Sequence, residues 1–206
     1  MNIFLISIFI ILIPGIFFFY VTIKKDMIRN LNTQDLIVIA LFCSLLYVAG
    51  LPFKLGLSRI PFIHAFVFSI PFTAVLFIGI RIVPKTGTAM LIILGHSLLS
   101  QLISRGINPL WWPYAFLAGL VLELYFFATK SYLGTRLNSL FAGCLRGLIM
   151  YLYFYYVSAP YIWHIHYAPW YIFIQTLQGV IGSGTGALIG FALSKPIIKA
   201  YKHGGI

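Results

Sequence analysis

Two charged residues inside apolar segments are the clearest candidates for chemistry in this sequence. Glu123 and Arg146 both interrupt long runs of hydrophobic residues. Charged groups at such positions are costly, so they usually face a bundle interior or a cavity. Two interpretations stay open. The two side chains form an ion pair that locks neighbouring helices together, or Glu123 forms the charged floor of a ligand site, and both hold if the ligand meets the pair.

Neutral polar residues recur in other apolar segments. His96 and Ser100 share one helix face, and Gln101 lies beside them. Gln175 and Gln178 form an i, i+3 pair near the C-terminus. Each residue alone is typical of an interhelical hydrogen bond. Because they occur on separate segments, together they predict a polar cavity.

Aromatic residues collect in the segments between the apolar runs. His164, His166 and several tyrosines accompany all four tryptophans, which are Trp111, Trp112, Trp163 and Trp170. They indicate either an interfacial belt or a pocket mouth that stacks on a flat ligand. The two histidines are not helix-face neighbours, and no carboxylate or cysteine is near them. No metal site is therefore predicted.

The composition indicates an integral membrane protein. The 206 residues are 61% hydrophobic and 8% charged, whereas soluble domains are about a quarter charged. The net charge of +11 is scattered as short groups between apolar runs. Nucleic-acid binding requires a clustered basic face, so this class of partner is excluded and the lipid bilayer is the expected surrounding.

Seven apolar runs are long enough, at about 20 residues each, to cross the hydrocarbon core. Lys24 and Lys25 close the first run, which lacks the basic start and cleavage site of a signal peptide. We therefore expect a retained helix. The predicted spans are 2–23, 34–50, 60–82, 87–104, 110–129, 137–157 and 169–194.

A polar break at 24–33 divides the chain into a leading helix (1–30) and a six-helix membrane domain (31–206). Asn32 and Thr33 can cap the second span, and Asp35 lies in its first turn, where the helix dipole favours an anion. The expected fold class is therefore an all-α membrane bundle of six helices with one additional N-terminal span.

The loop charges predict the orientation. Ten Lys and Arg residues fall on one side, namely Lys24, Lys25, Arg29, Arg81, Lys85, Lys130, Arg136, Lys195, Lys199 and Lys202. Three fall on the other side, namely Lys54, Arg59 and Arg105. Positive loops stay in the cytoplasm, so we expect the N-terminus outside and the C-terminus inside a cell membrane.

Small residues mark expected helix contacts. Gly182, Gly186 and Gly190 repeat at four-residue spacing on the last span, and Ala40-x-x-x-Ser44 forms a weaker stripe on the second. Such stripes allow two helix backbones to approach closely. They predict packing rather than chemistry.

Three short motifs fall within residues of about 80–128: Lys85-Thr86-Gly87, Asn108-Pro109 with Pro113, and Gly119-Leu-Val-Leu-Glu123. With these motifs, the six-helix domain resembles the substrate-binding S component of an energy-coupling factor (ECF) transporter, most closely the thiamine and hydroxymethylpyrimidine type. Lys85-Thr86-Gly87 resembles the Lys-x-Gly start of that group's third helix. Asn108-Pro109 and Pro113 resemble its proline-bearing outer loop. Gly119-Leu-Val-Leu-Glu123 resembles its Gly-x-x-x-Glu motif on helix four.

The resemblance implies a non-enzymatic subunit that captures a vitamin-like molecule (thiamine, its pyrimidine or similar) outside and delivers it inward. Separate ATPases, acting through a membrane coupling subunit, would supply energy, and no cofactor is expected. Ala40 and Ser44 would face the coupling subunit. Glu123 suits a cationic or aminopyrimidine ring. The implied ligand-binding set is Glu123, His96, Gln101 and Gln175, beneath lids formed by Trp111, Trp112, Trp163, His164 and Tyr167.

Two other classes remain as alternatives. A membrane enzyme acting on lipid could use His96 and Ser100 as a dyad, although no acid is evident to orient the histidine. A haem- or quinone-binding anchor subunit could use His64 and His96 as ligands. In these two classes the polar residues would contact a lipid substrate or a haem or quinone, whereas in the transporter subunit they would contact a vitamin-like ligand.

Overall fold

A computed structural model describes residues 13, 15–17, 20, 31–55, 63–104 and 106–203. Most of the predicted first span lies outside these residues. The predicted second to seventh spans correspond to six long helices. They are α1 (Thr33–Leu55), α2 (His64–Ile82), α3 (Thr88–Ser104), α4 (Trp112–Thr129), α5 (Arg136–Tyr153) and α6 (Pro169–His203).

Five of these helices are long and apolar enough to cross a membrane, and α3 contributes a shorter apolar stretch over Thr88–Ile103. Two helices extend well beyond the predicted spans: α1 has 23 residues and α6 has 35. The extra turns contain Pro52 in α1 and Pro196 in α6. Hydropathy detects only the apolar part of a helix, whereas the helix itself continues as far as its backbone hydrogen bonds do. The predicted C-terminal ends of these two helices therefore fell several residues before the observed ends.

The six helices form a closed ring. Its order is α1, α2, α6, α5, α4 and α3, and α3 returns to α1. Each helix packs against two neighbours, so the ring encloses a single interior. Residues from different spans therefore converge in this interior although they are distant in sequence.

Helix α6 makes close backbone contact with α2. A Cβ atom on Gly182 would lie 2.6 Å from the carbonyl oxygen of Phe66, and one on Gly190 would lie 2.7 Å from that of Ala74. Gly186 approaches the carbonyl oxygen of Ile70 in the same way. Only glycine permits this separation, because any side chain would overlap the α2 backbone.

The neighbouring face of α6 packs as closely against α5. A Cβ atom on Gly143 would lie 2.6 Å from the carbonyl oxygen of Ser183, and one on Gly147 would lie 2.8 Å from that of Gly179. Helix α6 is therefore held between α2 and α5 by small residues on both faces. This contact sets the position of every α6 side chain that faces the interior.

Loop charges and loop aromatics lie at opposite ends of the ring. The basic end carries the described residues Arg81, Lys85, Lys130, Arg136, Lys195 and Lys199. The aromatic end carries Trp111, Trp112, Trp163 and Trp170. The separation follows from the alternating direction of the helices. Which end faces the cytoplasm remains a prediction from the charge distribution.

Polar contacts tie the basic end together. Asn32 and Asp35 cap α1 reciprocally, each side chain accepting the other residue's backbone N–H at 2.7–2.8 Å. Lys85 then pairs with Asp35 at 2.6 Å. Thr86 bonds to Tyr132 in the α4–α5 loop. The α2–α3 loop thus joins the start of α1 to the far side of the ring.

The apolar core fills the half of the ring next to the basic end. Its large, fully buried side chains include Leu76, Phe77 and Ile80 of α2 and Leu122 and Phe126 of α4. These residues lie within about two turns of the basic end of their helices. Dense packing leaves no room for a ligand at this level, so a ligand site has to lie nearer the aromatic end.

The leading segment also touches the ring. Gly15 is buried, and a Cβ atom there would overlap the ring of Phe116 on α4. Gly15 therefore packs against α4. Nothing further about the predicted leading helix follows from the described residues.

The contact between α2 and α6 makes a stability prediction. We expect Gly186→Ala to lower the free energy of unfolding by about 1–3 kcal/mol, because the new methyl group meets the Ile70 carbonyl oxygen. Gly50→Ala is the matched control, since no atom lies within 4 Å of its added Cβ. Denaturation of both variants in detergent measures the difference. Equal stability of the two would contradict the close contact.

Candidate functional site

Arg146 lies at the centre of the polar interior. It is 8% exposed, and its Nη1 donates a hydrogen bond to Thr73 Oγ1 at 3.2 Å. Its guanidinium carbon is 4.8 Å from the centre of the Phe72 ring. The Phe72 ring also meets the His96 ring in an edge-to-face arrangement, with the two ring centroids 5.3 Å apart. Arg146 of α5 thus reaches across the ring of helices to α2 and, through the Phe72 side chain, to α3.

Two tyrosines lie near the guanidinium. Tyr114 and Tyr151 both interact electrostatically with Arg146. The Tyr151 hydroxyl donates to the carbonyl oxygen of Ala65 at 3.1 Å and lies 2.9 Å from Ser69 Oγ. Tyr151 therefore bridges α5 to the first turns of α2, on the aromatic side of Arg146.

Gln175 adds an amide that has no protein partner. It is 1% exposed, and neither amide atom has a hydrogen-bond partner among the described residues. It lies one helical turn before Gly179, whose Cα is covered by the ring of Tyr151. One turn is about 6 Å, so Gln175 lies beside Tyr151 on the side of the aromatic end.

These residues form what we call the buried polar cluster. Every long helix except α1 contributes to it. Its members are the buried residues Ser69, Thr73, Arg146 and Gln175 and the half-buried residues His96, Tyr114 and Tyr151. Sequence analysis singled out His96, Arg146 and Gln175. It missed the hydroxyl residues, although Ser69 and Thr73 share a face of α2 at i, i+4, a signal that the sequence contains.

A pair of tryptophans from different loops lies above the cluster. The rings of Trp111 and Trp163 are 5.2 Å apart, and Phe154 lies 5.1 Å from Trp163. Trp111 also meets Tyr114 edge-on at 5.7 Å. Since Tyr114 interacts with Arg146 below, the tryptophan pair is connected to the buried polar cluster through one residue.

A second aromatic group lies beside the first. Tyr167 stacks on Tyr171 at 5.2 Å and meets Tyr155 edge-on at 5.1 Å. Tyr155 stacks on Tyr151 of the cluster at 6.4 Å. Phe154–Ser158 forms a π-helical turn after α5. The wider turn lets the consecutive residues Phe154 and Tyr155 join different aromatic groups, and such turns are frequent at functional sites.

Other predicted site residues are not brought to the cluster. Trp112 makes no ring contact with either aromatic group in the described part of the chain, and His164 is exposed in the turn before α6. Gln101 stabilises the α3–α4 loop, because it accepts from the Asn108 backbone N–H at 2.8 Å and donates to Ser97. Throughout the described ranges, no group of three or more His, Cys, Asp or Glu residues has the geometry of a metal site.

Glu123 lies at the other end of the interior. Its Oε1 accepts the backbone N–H groups of Ala89 and Met90, at 2.9 and 3.3 Å. These residues begin α3 at the basic end, where free N–H groups and the helix dipole favour a carboxylate. Glu123 thus anchors α4 to the start of α3.

The phenol of Tyr132 lies within the electrostatic influence of Glu123. Burial raises the pKa of Tyr132, the hydrogen bond with Thr86 lowers it, and the charge of Glu123 raises it further. Tyr132 belongs to the α4–α5 loop at the basic end, so Glu123 is close to that loop. The phenol remains a neutral hydrogen-bonding group at physiological pH.

The ion-pair interpretation of Glu123 and Arg146 is therefore wrong. Glu123 is bonded to the α3 backbone, whereas Arg146 is bonded to Thr73. In the part of the chain that the structure describes, the ion pair found is Lys85–Asp35. The depths of Glu123 and Arg146 along neighbouring helices were compatible with a contact, but the two side chains point to different levels of the interior.

The haem alternative meets a similar obstacle. His64 stacks on Phe68, Phe68 meets Phe72, and Phe72 meets His96, at centroid distances of 6.0, 5.6 and 5.3 Å. His64 and Phe72 are eight residues apart on α2, which is about 12 Å. Two histidines placed in this way do not bind the two faces of one haem iron.

A groove of about 580 Å³ lies on the outside of the ring between α5 and α6. Its walls are almost entirely apolar and include the exposed residues Phe141, Leu148, Tyr156 and Phe173. None of the cluster residues lines it. The groove is typical of a surface that faces lipid tails.

Comparison with known proteins supports the fold. No family model and no curated protein matches the chain. Among solved structures, the chain is similar to one described as the crystal structure of an S-component of ECF transporter. The TM-score is 0.65 at 20% identity, over 86% of this chain and 88% of that one.

The chain is accordingly an all-α, multi-pass membrane protein with the fold of an ECF transporter S component. This confirms the expected fold class. At 20% identity the likeness establishes the fold, and a function has to be argued from the residues in the interior.

The position of Glu123 leads to a second prediction. Glu123→Ala removes the acceptor of the Ala89 and Met90 N–H groups, so we expect it to lower the free energy of unfolding by about 1–3 kcal/mol. Glu123→Gln keeps a carbonyl oxygen there and should be the milder change. Denaturation in detergent compares them. If both variants unfold like the unmodified protein, Glu123 does not anchor α3.

Proposed function

We propose that this protein is the substrate-binding membrane subunit of an ECF-type importer. It captures a small vitamin-like molecule at the aromatic end and delivers it inward with separate coupling and ATPase subunits. The observation that carries this proposal is the buried polar cluster beneath two tryptophans, within a bundle of the S-component fold. Polar groups without partners are rare in a protein interior, and a ligand would satisfy them.

The distribution of polar and apolar residues supports binding from one side. The apolar core closes the basic half of the ring, and the buried polar cluster occupies the aromatic half. A ligand therefore reaches the cluster past Trp111 and Trp163. The predicted orientation places this end outside the cell, as capture of an external nutrient requires.

The proposed surface for the coupling subunit is the exposed face of α1. Ala40 and Ser44 both lie there, and the Ser44 hydroxyl bonds to the Ala40 carbonyl oxygen at 3.2 Å. The surrounding residues are large and apolar, and include Ile37, Leu41 and Val48. A stripe of small residues between large ones lets a partner helix approach closely within the membrane.

A third prediction tests ligand capture. Protein purified from cells grown in rich medium should release a bound small molecule that native mass spectrometry detects. Trp163→Ala removes the contacts to Trp111 and Phe154, so we expect roughly tenfold weaker binding of that molecule. Trp112→Ala is the control, because Trp112 makes no ring contact with Trp111, Trp163 or Phe154 among the described residues. Similar losses in both variants would contradict a role of the tryptophan pair as a lid.

A fourth prediction tests the coupling surface. Ala40→Trp should block close approach of a partner helix, so co-purification with the coupling subunit and its ATPases should be lost while the released small molecule is retained. Ala192→Trp on α6 is the matched control, since Ala192 is also exposed. Unchanged co-purification of the Ala40→Trp variant would show that the coupling subunit binds elsewhere.

A further inference from the structure

Arg146 is a buried cation for which the described chain supplies no anion. The sequence contains only three carboxylates. Asp35 pairs with Lys85, and Glu123 bonds to the α3 backbone at the basic end. Asp26, the third, lies outside the described residues. The ligand implied by the resemblance was cationic because Glu123 was expected at the floor of the site. Glu123 instead lies at the basic end, with one carboxylate oxygen on the α3 backbone and the other buried without a hydrogen-bond partner among the described residues.

The partners of Arg146 are neutral. Thr73 accepts one hydrogen bond, and the Phe72 ring lies against the guanidinium. The Nε–H group is buried and has no hydrogen-bond partner in the described ranges. A charge removed from water requires an opposite charge or a full set of hydrogen bonds. Arg146 thus presents an unsatisfied donor on the interior of the ring.

We infer that the ligand of this site carries a single carboxylate, which binds the free Nε edge of Arg146. This inference rests on the proposed function and specifies its substrate class. A guanidinium matches a carboxylate in geometry, with two parallel N–H···O bonds. One carboxylate also neutralises one guanidinium, whereas a phosphate ester of charge near −2 would leave a net negative charge in the membrane interior.

The remaining residues describe the rest of the ligand. The Gln175 amide offers one unpaired donor group and one unpaired acceptor on the side of the aromatic end. Trp111, Trp163 and Tyr167 supply flat surfaces above it. The site therefore fits a small monocarboxylate whose far end is a neutral polar ring. A positively charged ring would meet Arg146 unfavourably.

A fifth prediction compares acids with their neutral analogues. Purified, ligand-stripped protein is titrated with nicotinate and nicotinamide, biotin and biotinamide, pantothenate and panthenol, and thiamine. In addition, mass spectrometry identifies the small molecule that is released from the purified protein in the ligand-capture experiment. We expect the released molecule to be a monocarboxylate, and the acid of at least one pair to bind at least tenfold more tightly than its neutral analogue.

Two variants locate the discrimination. Arg146→Gln should remove the preference for the acid, whereas Arg136→Gln, at the exposed start of α5, should retain it. If Arg146→Gln does not fold, Arg146→Lys keeps the charge and loses the two-pronged geometry. It should bind the acid at least tenfold more weakly. A purely structural Arg146 would instead change stability and leave the ratio of acid to neutral affinity intact.

Different failures have different meanings. If the released molecule is neutral or cationic, or if thiamine binds and Arg146→Gln retains it, the carboxylate inference is overturned and the proposed function stands. If no compound binds and no molecule is released, the proposed function fails, and the inference fails with it. Each result is read on folded protein, verified by a single symmetric peak in size-exclusion chromatography.

Discussion

The close contact of α6 with α2 and α5 is the constraint on which the rest of the structure depends. Within a membrane there is no hydrophobic drive between helices, so association relies on close packing. Gly182, Gly186 and Gly190 bring α6 against the α2 backbone, and Gly143 and Gly147 bring α5 against α6. The position of Gln175 and the reach of Arg146 across the ring both follow from this spacing.

The ring is divided along its axis into two halves with different tasks. The basic half is packed with apolar side chains and tied by Glu123 at α3 and by Lys85 at α1. Among the described residues, buried polar atoms without a hydrogen-bond partner occur in both halves: at Gln175 and the Nε of Arg146 in the aromatic half, and at Thr88 and one oxygen of Glu123 at the basic end. Those in the aromatic half lie beneath the tryptophan pair on a support of packed helices, which is the arrangement that a binding site requires.

Much of the fold was predictable because it depends on local composition. Apolar runs located α1 to α6, and Asn32 and Asp35 indicated the start of α1. The charged and aromatic loops were assigned to opposite ends from the alternation of spans alone. Helix ends were less predictable: α6 continues past Pro196, since backbone hydrogen bonds extend beyond the apolar segment.

The sequence by itself determined the class of protein, the number of spans in the ring and the kinds of residue available for binding. Only the tertiary structure decided which of them meet. Glu123 was the predicted ligand-binding residue and Arg146 its possible ion-pair partner, but side-chain direction sends one to the α3 backbone and the other to Thr73. Depth along a helix is a local property, whereas the direction of a side chain depends on how the helices are rotated against each other. That rotation is set by packing, and it separates Glu123 from Arg146.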